Sequence, residues 1–168
     1  MKKLLIIFTF LIYSSISGQA VPEKYAKDVQ SIDAIMNAYY DVISGSSDDP
    51  WQFERDKYIH SPNARITRLD DHGNARTHVL EAEYIPMALA PRENFYEIEL
   101  KRKTNQFGRM AQVWSAFEIR TSPNKASDVK GLNSIQLHFE NNRWYIDSWT
   151  AEMETSSNGL VTDFLNKN

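Results

Sequence analysis

Apolar residues recur at helical spacing in the first third of the chain. The positions that share one helix face are Ile32, Ile35, Met36, Tyr39, Tyr40 and Ile43. This period predicts one amphipathic helix from about Val29 to Ser44. Ser31 or Asp28 can cap its start, and a polar run that begins at Gly45 ends it.

The pattern then changes to short elements. Trp51 to His60 predicts a short helix or turns. Ala64 to Leu69 and Arg76 to Val79 predict a small hairpin around a stretch of turn-forming residues. Leu80 to Leu89 holds good helix formers with a proline inside, so a short helix with a break near Pro86 is expected.

The remainder of the chain has the composition of β-strands. Four long segments rich in β-branched and aromatic residues are predicted as strands, at Phe95 to Thr104, Phe107 to Thr121, Leu132 to Glu140 and Arg143 to Glu154. Asn105 to Gly108 is expected to turn the first pair. Asn141-Asn142 predicts a two-residue hairpin, because asparagine tolerates the positive φ of a type I′ turn.

The hairpin turn predicts which side chains share a face. It sets Glu140 opposite Arg143. The pairs that follow are Phe139 with Trp144, His138 with Tyr145, and Leu137 with Ile146. The face that the helices cover is then expected to hold Ile135, Leu137, Phe139, Trp144 and Ile146, joined by Val113, Ser115, Phe117 and Ile119 from the preceding strand.

The opposite face mixes aromatic and polar groups, namely Trp114, Gln136, His138, Tyr145 and Asp147. Exposed Trp and Tyr are enriched where proteins associate. We therefore predict a homodimer through a face that includes Trp114, Gln136, His138 and Tyr145. The alternative is that the C-terminal tail, through Phe164 and Leu165, covers part of this face.

The first twenty residues have the layout of a secretory signal peptide. Lys2 and Lys3 precede the apolar run Leu4 to Tyr13, and Gly18-Gln19-Ala20 offers small residues for cleavage. We expect residues 1–20 to be removed and residues 21–168 to form a single domain, exported to the periplasm or outside the cell. A retained anchor is the alternative, although the apolar run is short for a span.

The amino-acid composition limits the chemistry and the binding partners that the chain can have. The chain of 168 residues has no cysteine, which excludes disulfides and thiolate chemistry. Its net charge is −3, and both signs are dispersed along the sequence. Without a basic stripe to neutralise phosphates, nucleic acid is not a predicted partner.

Three segments resemble the nuclear transport factor 2-like (SnoaL-like) superfamily. Ala38 to Gly45 looks like the end of its first helix, Tyr58 to Arg65 like the start of its first strand, and Asn141 to Ile146 with Trp149 like its final hairpin. The resemblance implies an α+β, cone-shaped fold, in which a curved antiparallel sheet wraps a long N-terminal helix around a pocket. It does not imply one activity, because the superfamily is functionally diverse.

The resemblance also implies where chemistry is expected. Enzymes of this fold tend to hold an Asp, or an Asp–His pair, inside the cone. Here Asn63 stands where an acid is common, and Asp147 and Glu118 fall on the outward face. The alternating residues Glu97, Glu99, Lys101 and Lys103 predict a solvated outer face. The inner faces are thus expected to hold few acids.

Candidate site residues follow from these faces. His60 is the candidate for proton transfer, because histidine titrates near physiological pH; the alternative is a residue that caps a pocket wall. The candidates for pocket contacts are Tyr39, Tyr40, Tyr84, Ser115, Trp144 and Ser148. The tyrosines can equally be core aromatics.

Neither a metal nor a cofactor is predicted. The group Asp70, Asp71, His72 and His78, and the group formed by His78 with Glu81 and Glu83, lack a recognised ligand spacing. The sequence favours an exported domain that binds a small, partly apolar molecule. The alternatives are a cofactor-independent lyase or isomerase that uses His60 with a pocket tyrosine, and a structural dimerisation module.

Overall fold

The computed structural model describes residues 23–49, 51–70, 72–88, 92–127 and 129–166. The predicted signal peptide, residues 1–20, lies outside the described residues. Among the described residues, the chain begins with a 3-10 helix, Glu23–Val29. No helix in those ranges is long and apolar enough to cross a membrane.

Four α-helices accompany the sheet within the described ranges. They are α1 (Ile32–Ile43), α2 (Phe53–Ile59), α3 (Ile85–Ala88) and α4 (Leu160–Asn166). The Ser31 hydroxyl accepts a hydrogen bond from the backbone N–H of Ala34, so of the two predicted caps, Ser31 and Asp28, Ser31 is the one that caps α1. A π-helical turn, Leu80–Tyr84, runs directly into α3, so the helix changes type at Ile85, one residue before Pro86, and does not break.

One curved sheet of six strands forms the rest of the described fold. The strands are β1 (His60–Leu69), β2 (Ala75–Val79), β3 (Tyr96–Phe107), β4 (Met110–Arg120), β5 (Lys130–Glu140) and β6 (Arg143–Met153), in the order β2-β1-β6-β5-β4-β3. Neighbouring strands are antiparallel except β1 and β6, which run parallel, so the sheet is mixed.

The β5–β6 hairpin has the predicted turn and register. Asn141 and Asn142 both adopt positive φ, 49° and 61°, and Glu140 pairs with Arg143. The predicted pairing continues as far as Leu137 with Ile146. The β3–β4 turn lies later than predicted, at Gly108 and Arg109, because β3 extends to Phe107.

Two β-bulges change which residues face inward. In β3, Glu99 pairs with Phe117 and Lys101 pairs with Ala116, so Leu100 between them has no partner on β4. In β6, Ile146 pairs with Leu137 and Ser148 pairs with Gln136, so Asp147 between them has no partner on β5. An extra residue reverses the alternation of side chains beyond it. We call the face of the sheet turned toward α1 the inner face, and the other the outer face.

The core lies between α1 and the inner face. Its fully buried side chains include Ile35, Met36, Val113, Ile135 and Ile146. Helix α1 reaches the sheet through contacts with β3 and β6, and it also packs against α2. The predicted inner positions of β4 and of the β5–β6 hairpin are thus confirmed as far as the second bulge.

A stack of rings and one guanidinium ties the start of the described chain to the sheet. The Arg143 guanidinium carbon lies 3.8 Å from the Tyr58 ring centroid and 4.1 Å from that of Tyr145. Tyr145 in turn stacks on His138, with centroids 5.0 Å apart, and Tyr58 contacts Tyr25. Arg143 also donates to the backbone oxygen of Tyr58. Such cation–π contacts stabilise a fold by about 0.5–2 kcal/mol each.

The C-terminal helix covers part of the outer face. Helix α4 contacts β4 and β5, and Lys101 Nζ donates to the backbone oxygens of Phe164 and Leu165 at 3.3 and 3.1 Å. Beneath this helix a groove of about 830 Å³ runs past Trp114, Val161 and Phe164. The tail therefore lies on this face, as the alternative from the sequence describes.

Candidate functional site

A cavity of about 210 Å³ lies inside the cone, between α1 and the inner face. Most of its lining is apolar. The polar residues that line it are Tyr39, Asp56, Arg68, Tyr84, Glu97 and Asn133. An engineered apolar cavity of about 150 Å³ takes benzene, so this cavity has room for a molecule of about one substituted ring.

Glu97 supplies a carboxyl group to this cavity. The bulge at Leu100 places Glu97 and Glu99 on the inner face and leaves Lys101 and Lys103 on the outer face. The predicted solvated outer face is therefore wrong for Glu97, which is buried, and for Glu99, which also faces inward. Burial raises the pKa of Glu97 from 4.5 to about 7, although the Asn133 hydrogen bond and the Arg68 charge act in the opposite direction.

Asn133 holds Glu97 and keeps one polar atom free. Its Nδ2 donates to Glu97 Oε1 at 3.3 Å and to the Tyr40 hydroxyl at 3.5 Å. Its Oδ1 is buried and has no hydrogen-bond partner among the described residues. Because a buried unpaired acceptor costs about 1–3 kcal/mol, this oxygen favours a ligand that donates a hydrogen bond.

A chain of hydrogen bonds connects Asn133 to the protein surface. The Tyr40 hydroxyl lies 2.6 Å from Ser115 Oγ, and Ser115 donates to a Glu99 carboxylate oxygen. Arg102 Nε then donates to Glu99 at 2.9 Å, and the same guanidinium reaches Asp33 on α1. This network holds the Asn133 side chain in place, and Asn133 in turn holds Glu97.

A second carboxyl group, that of Asp56, also lines the cavity. Trp51 Nε1 donates to its Oδ2 at 3.2 Å. His60 Nδ1 lies 2.7 Å from its backbone oxygen and 3.2 Å from its Oδ1. His60 and Asp56 are both buried, and His60 Nε2 has no partner within the described part of the chain. The pair joins a histidine to a carboxylate, and the carboxylate reaches the cavity.

Aromatic rings form the wall between the two carboxyl groups. The Trp149 ring contacts those of Tyr39, His60 and Tyr84, at centroid distances of 5.7, 5.0 and 6.1 Å. Among the described residues, none hydrogen-bonds the Tyr39 hydroxyl. Burial, followed by the nearby Glu97 carboxylate, raises the pKa of Tyr39 well above its ordinary value. Tyr39 is thus a neutral donor in the cavity wall.

Arg68 and Tyr84 stand at the mouth of the cavity. Arg68 follows Ala64 and Ile66 on the inner face of β1, and its side chain is exposed. Its Nη2 donates to the Tyr84 hydroxyl at 2.9 Å. Burial raises the pKa of Tyr84, while the Arg68 charge lowers it. The mouth is therefore positively charged above a buried carboxyl group.

Of the sequence candidates, Tyr39 and Tyr84 line the cavity. Tyr40 and Ser115 lie behind Asn133 and act on the cavity through it. His60 lies behind Asp56. The remaining two, Trp144 and Ser148, do not line it: Trp144 packs in the core against Phe139.

Ser148 illustrates the effect of the second bulge. The sequence placed it on the inner face, but the extra residue Asp147 sets Ser148 opposite Gln136 and sets Trp149 opposite Ile135. The inner-face prediction for Ser148 is therefore wrong, and Trp149 occupies the inner position. Glu97, Asp56 and Asn133 were missed, because no local pattern in the sequence marks either the bulge in β3 or the burial of α2.

The residues predicted to form a dimer contact lie together on the outer face. Trp114 is partly exposed in the groove beside α4, and Gln136 is exposed. His138 Nδ1 lies 2.8 Å from Asp147 Oδ1, and its ring stacks on Tyr145. Within the described residues, no group of three or more His, Asp or Glu side chains could hold a metal ion.

No protein-family model and no curated protein matches the amino-acid sequence. Solved structures match through the fold. An NTF2-like protein of unknown function from Shewanella baltica aligns over 82% of this chain and 98% of its own, at 12% identity and a TM-score of 0.54.

Two further structures carry proposed activities. A proposed dehydratase of the NTF2-like family from Streptomyces avermitilis aligns over 77% of this chain and 97% of its own, at 13% identity and a TM-score of 0.57. A proposed ketosteroid isomerase from Parabacteroides distasonis aligns over 79% and 99%, at 11% identity and a TM-score of 0.53. The chain therefore has the α+β nuclear transport factor 2-like fold, which confirms the resemblance; at these identities the likeness concerns the fold alone.

Proposed function

We propose that this protein is a cofactor-independent enzyme, an isomerase or a lyase, that moves a proton on a small, partly apolar molecule. One observation carries the proposal: the Glu97 carboxyl group is buried in the lining of a cavity, and this burial raises its pKa to about 7. A general base works best when its pKa is close to the working pH. The sequence favoured a binding domain because the inner face was expected to lack acids, and Glu97 and Asp56 remove that reason.

The cavity offers a base and a hydrogen-bond donor for one reaction. The Glu97 carboxylate takes a proton from a carbon next to a substrate carbonyl, so that the C–H bond breaks and an O–H bond forms on Glu97. The electron pair moves onto the carbonyl oxygen, where the neutral Tyr39 hydroxyl stabilises the developing charge. Return of the proton to another carbon completes an isomerisation; departure of a leaving group with its electron pair completes an elimination.

Asp56 and His60 provide a second place for a proton. Asp56 reaches the cavity and His60 holds it from behind. In an elimination, the leaving group needs a proton at a position away from the base. Asp56 fits that role. His60 then has a positioning part, because it holds Asp56, whereas the sequence proposed His60 itself as the proton carrier.

The two neighbours with proposed activities are consistent with this reaction class. Both a dehydration and a ketosteroid isomerisation move a proton from carbon. Binding without catalysis is the competing function, and it would use the same cavity. The structural module has less support, because its cavity would be filled by side chains and this one is open.

Deuterium exchange tests the proposal before the substrate is known. Cyclohexanone, pyruvate and phenylpyruvate are incubated with the protein in D₂O, and NMR follows loss of the proton next to the carbonyl. We expect exchange of at least one probe to rise with pH to a plateau above about pH 7, because Glu97 must be ionised. Tyr39→Phe is expected to slow it by about 10²-fold, the scale of losing one donor to a developing oxyanion.

Tyr145→Phe is the matched control, because Tyr145 lies in the stack on the outer face and not in the cavity. It should exchange at the wild-type rate. Equal exchange by the wild-type protein and Glu97→Gln with every probe would contradict the proposed function and leave binding as the better account.

We also propose that the protein pairs as a homodimer through the outer face. Support comes from exposed apolar side chains on the β3–β4 hairpin and beside the groove, Phe107, Met110 and Trp114. A buried charge in such a contact is unfavourable. Trp114→Glu is therefore expected to give a monomer by light scattering on a sizing column, while Met87→Glu, an exposed apolar residue on α3, should stay dimeric. A monomeric wild-type protein or a dimeric Trp114→Glu would contradict this.

A further inference from the structure

The guanidinium of Arg68 is a cation at the cavity mouth that forms no ion pair at contact distance with a described carboxylate, although its charge acts on Glu97. Three arginines that are more buried than Arg68, namely Arg55, Arg102 and Arg120, each form an ion pair with a carboxylate. Among the described residues, no carboxylate forms such a pair with Arg68; its described hydrogen bond goes to the neutral Tyr84 hydroxyl. Its guanidinium also lies 5.3 Å from the centroid of the Tyr84 ring.

The Tyr84 contact orients this cation without forming an ion pair with it. Arg68 belongs to a β-strand that is paired on both sides, with Arg76 of β2 and Ala151 of β6, so its Cα position is fixed. Tyr84 uses one of the five N–H donors of the guanidinium, which leaves the others available. The planar group presents paired donors with the geometry that a carboxylate matches.

We propose that the cavity takes a small carboxylic acid, whose carboxylate binds Arg68 at the mouth while its apolar part lies between Tyr39, Phe117 and Trp149. The proposal rests on the proposed function for what happens to the molecule, and it names the class of the substrate. The apolar residues Phe95, Ile119 and Met153 also line the cavity, so they would add to the apolar surface around the bound molecule.

The position of Arg68 sets the orientation of the bound acid. With the carboxylate at the mouth, the rest of the molecule extends inward, toward Glu97, Asn133 and Tyr39. The free Oδ1 of Asn133 would accept a hydrogen bond from a hydroxyl or amine on that inner end. The reacting carbon would then lie away from the carboxylate, which keeps the substrate charge apart from that of Glu97. A cavity of about 210 Å³ limits the acid to about one ring or a short branched chain.

Calorimetric titration of matched acids and amides tests this inference. The probes are isobutyrate, benzoate and phenylacetate, each compared with its primary amide, which has nearly the same shape and no charge. At pH 8 the wild-type protein is expected to bind at least one acid about tenfold more tightly than its amide, a difference of about 1.4 kcal/mol. Arg68→Gln keeps a donor for Tyr84 and is expected to remove the preference.

Arg65→Gln is the matched control, because Arg65 is an exposed arginine on the same strand that does not line the cavity. It should retain the preference for the acid. The inference is overturned if no acid binds more tightly than its amide, if no acid binds at all, or if Arg68→Gln keeps the preference.

Glu97→Gln separates this inference from the proposed function. It should keep the preference for the acid while it loses deuterium exchange. A protein that prefers acids but exchanges no probe faster than Glu97→Gln contradicts the proposed catalysis alone. Exchange of cyclohexanone that depends on Glu97, without any preference for acids, contradicts the substrate class alone.

Discussion

Glu97→Gln is expected to raise the free energy of unfolding by about 3 kcal/mol at pH 8.5, although it removes the proposed catalytic base. Burial moves the pKa of Glu97 from 4.5 to about 7, and each unit of difference between folded and unfolded states corresponds to about 1.4 kcal/mol. Below pH 4.5 the carboxyl group is neutral in both states. As the pH rises, the unfolded state ionises first, so the wild-type protein loses stability until about pH 7 and remains at the lower level above it.

A neutral glutamine does not have this pH dependence. Urea unfolding of both proteins between pH 5 and 8.5 should therefore give a difference that grows from about 1 to about 3 kcal/mol. Glu93→Gln, at an exposed position before β3, is the control and should show no such trend. A difference that is constant with pH, or a variant less stable at pH 8.5, would contradict the burial of an ionised Glu97.

Trp149→Ala is expected to lower the free energy of unfolding by about 3–5 kcal/mol, the usual range for removing a buried aromatic side chain. Trp149 is buried, and its ring contacts those of Tyr39, His60 and Tyr84. Its loss joins the space of the ring to the cavity and leaves the Tyr39 and Tyr84 rings without their shared neighbour. The measurement is urea unfolding followed by circular dichroism, which does not depend on the tryptophan.

Trp114→Ala provides the comparison for this variant, because Trp114 is partly exposed on the outer face. Trp114→Ala should lower the free energy of unfolding much less than Trp149→Ala does, if both are measured on monomeric protein at low concentration. Trp149→Phe keeps an aromatic ring and should fall between them. Equal losses for Trp149→Ala and Trp114→Ala would show that the wall of the cavity is not part of the core.

Local patterns in the sequence predicted most of the helices and strands, and the resemblance of three segments to a known superfamily implied the fold. Helical spacing predicted α1 with its Ser31 cap, and the Asn141-Asn142 turn predicted the register of the last hairpin. These features depend on neighbours a few residues away, which a sequence displays directly. The parallel pairing of β1 with β6 joins segments about 80 residues apart, and no local pattern specifies it.

The candidate site was harder to predict, because two bulges decide its composition. A strict alternation along β3 groups Glu97 with Lys101 and Lys103, and four alternating charges predict a solvated face. The extra residue Leu100 breaks that alternation, so the glutamates turn inward and the lysines outward. The same effect at Asp147 exchanges Ser148 for Trp149 on the inner face. Neither bulge contains a glycine that would have marked it.

The His60 hypothesis was partly informative. The sequence pointed to a histidine that either transfers a proton or supports a pocket wall, and the structure places it against Asp56 behind the cavity. Asp56 belongs to the short helix α2, where an isolated acid between charged neighbours resembles a surface residue. Its burial depends on packing against β1 and β6, so only the tertiary structure identifies it. Export and the signal peptide stay predictions from residues 1–20.

The titration of the Glu97 carboxyl group tests the central claim most directly. Protein labelled with carbon-13 at glutamate carboxyl groups is followed by NMR from pH 4 to pH 9, and the Glu97 resonance is assigned by its disappearance in Glu97→Gln. We predict a midpoint at about pH 7, which means that the cavity holds a carboxyl group able to gain and lose a proton near neutrality. A midpoint near 4.5, the value of an ordinary solvated glutamate, would contradict the account of the cavity as a site for proton transfer.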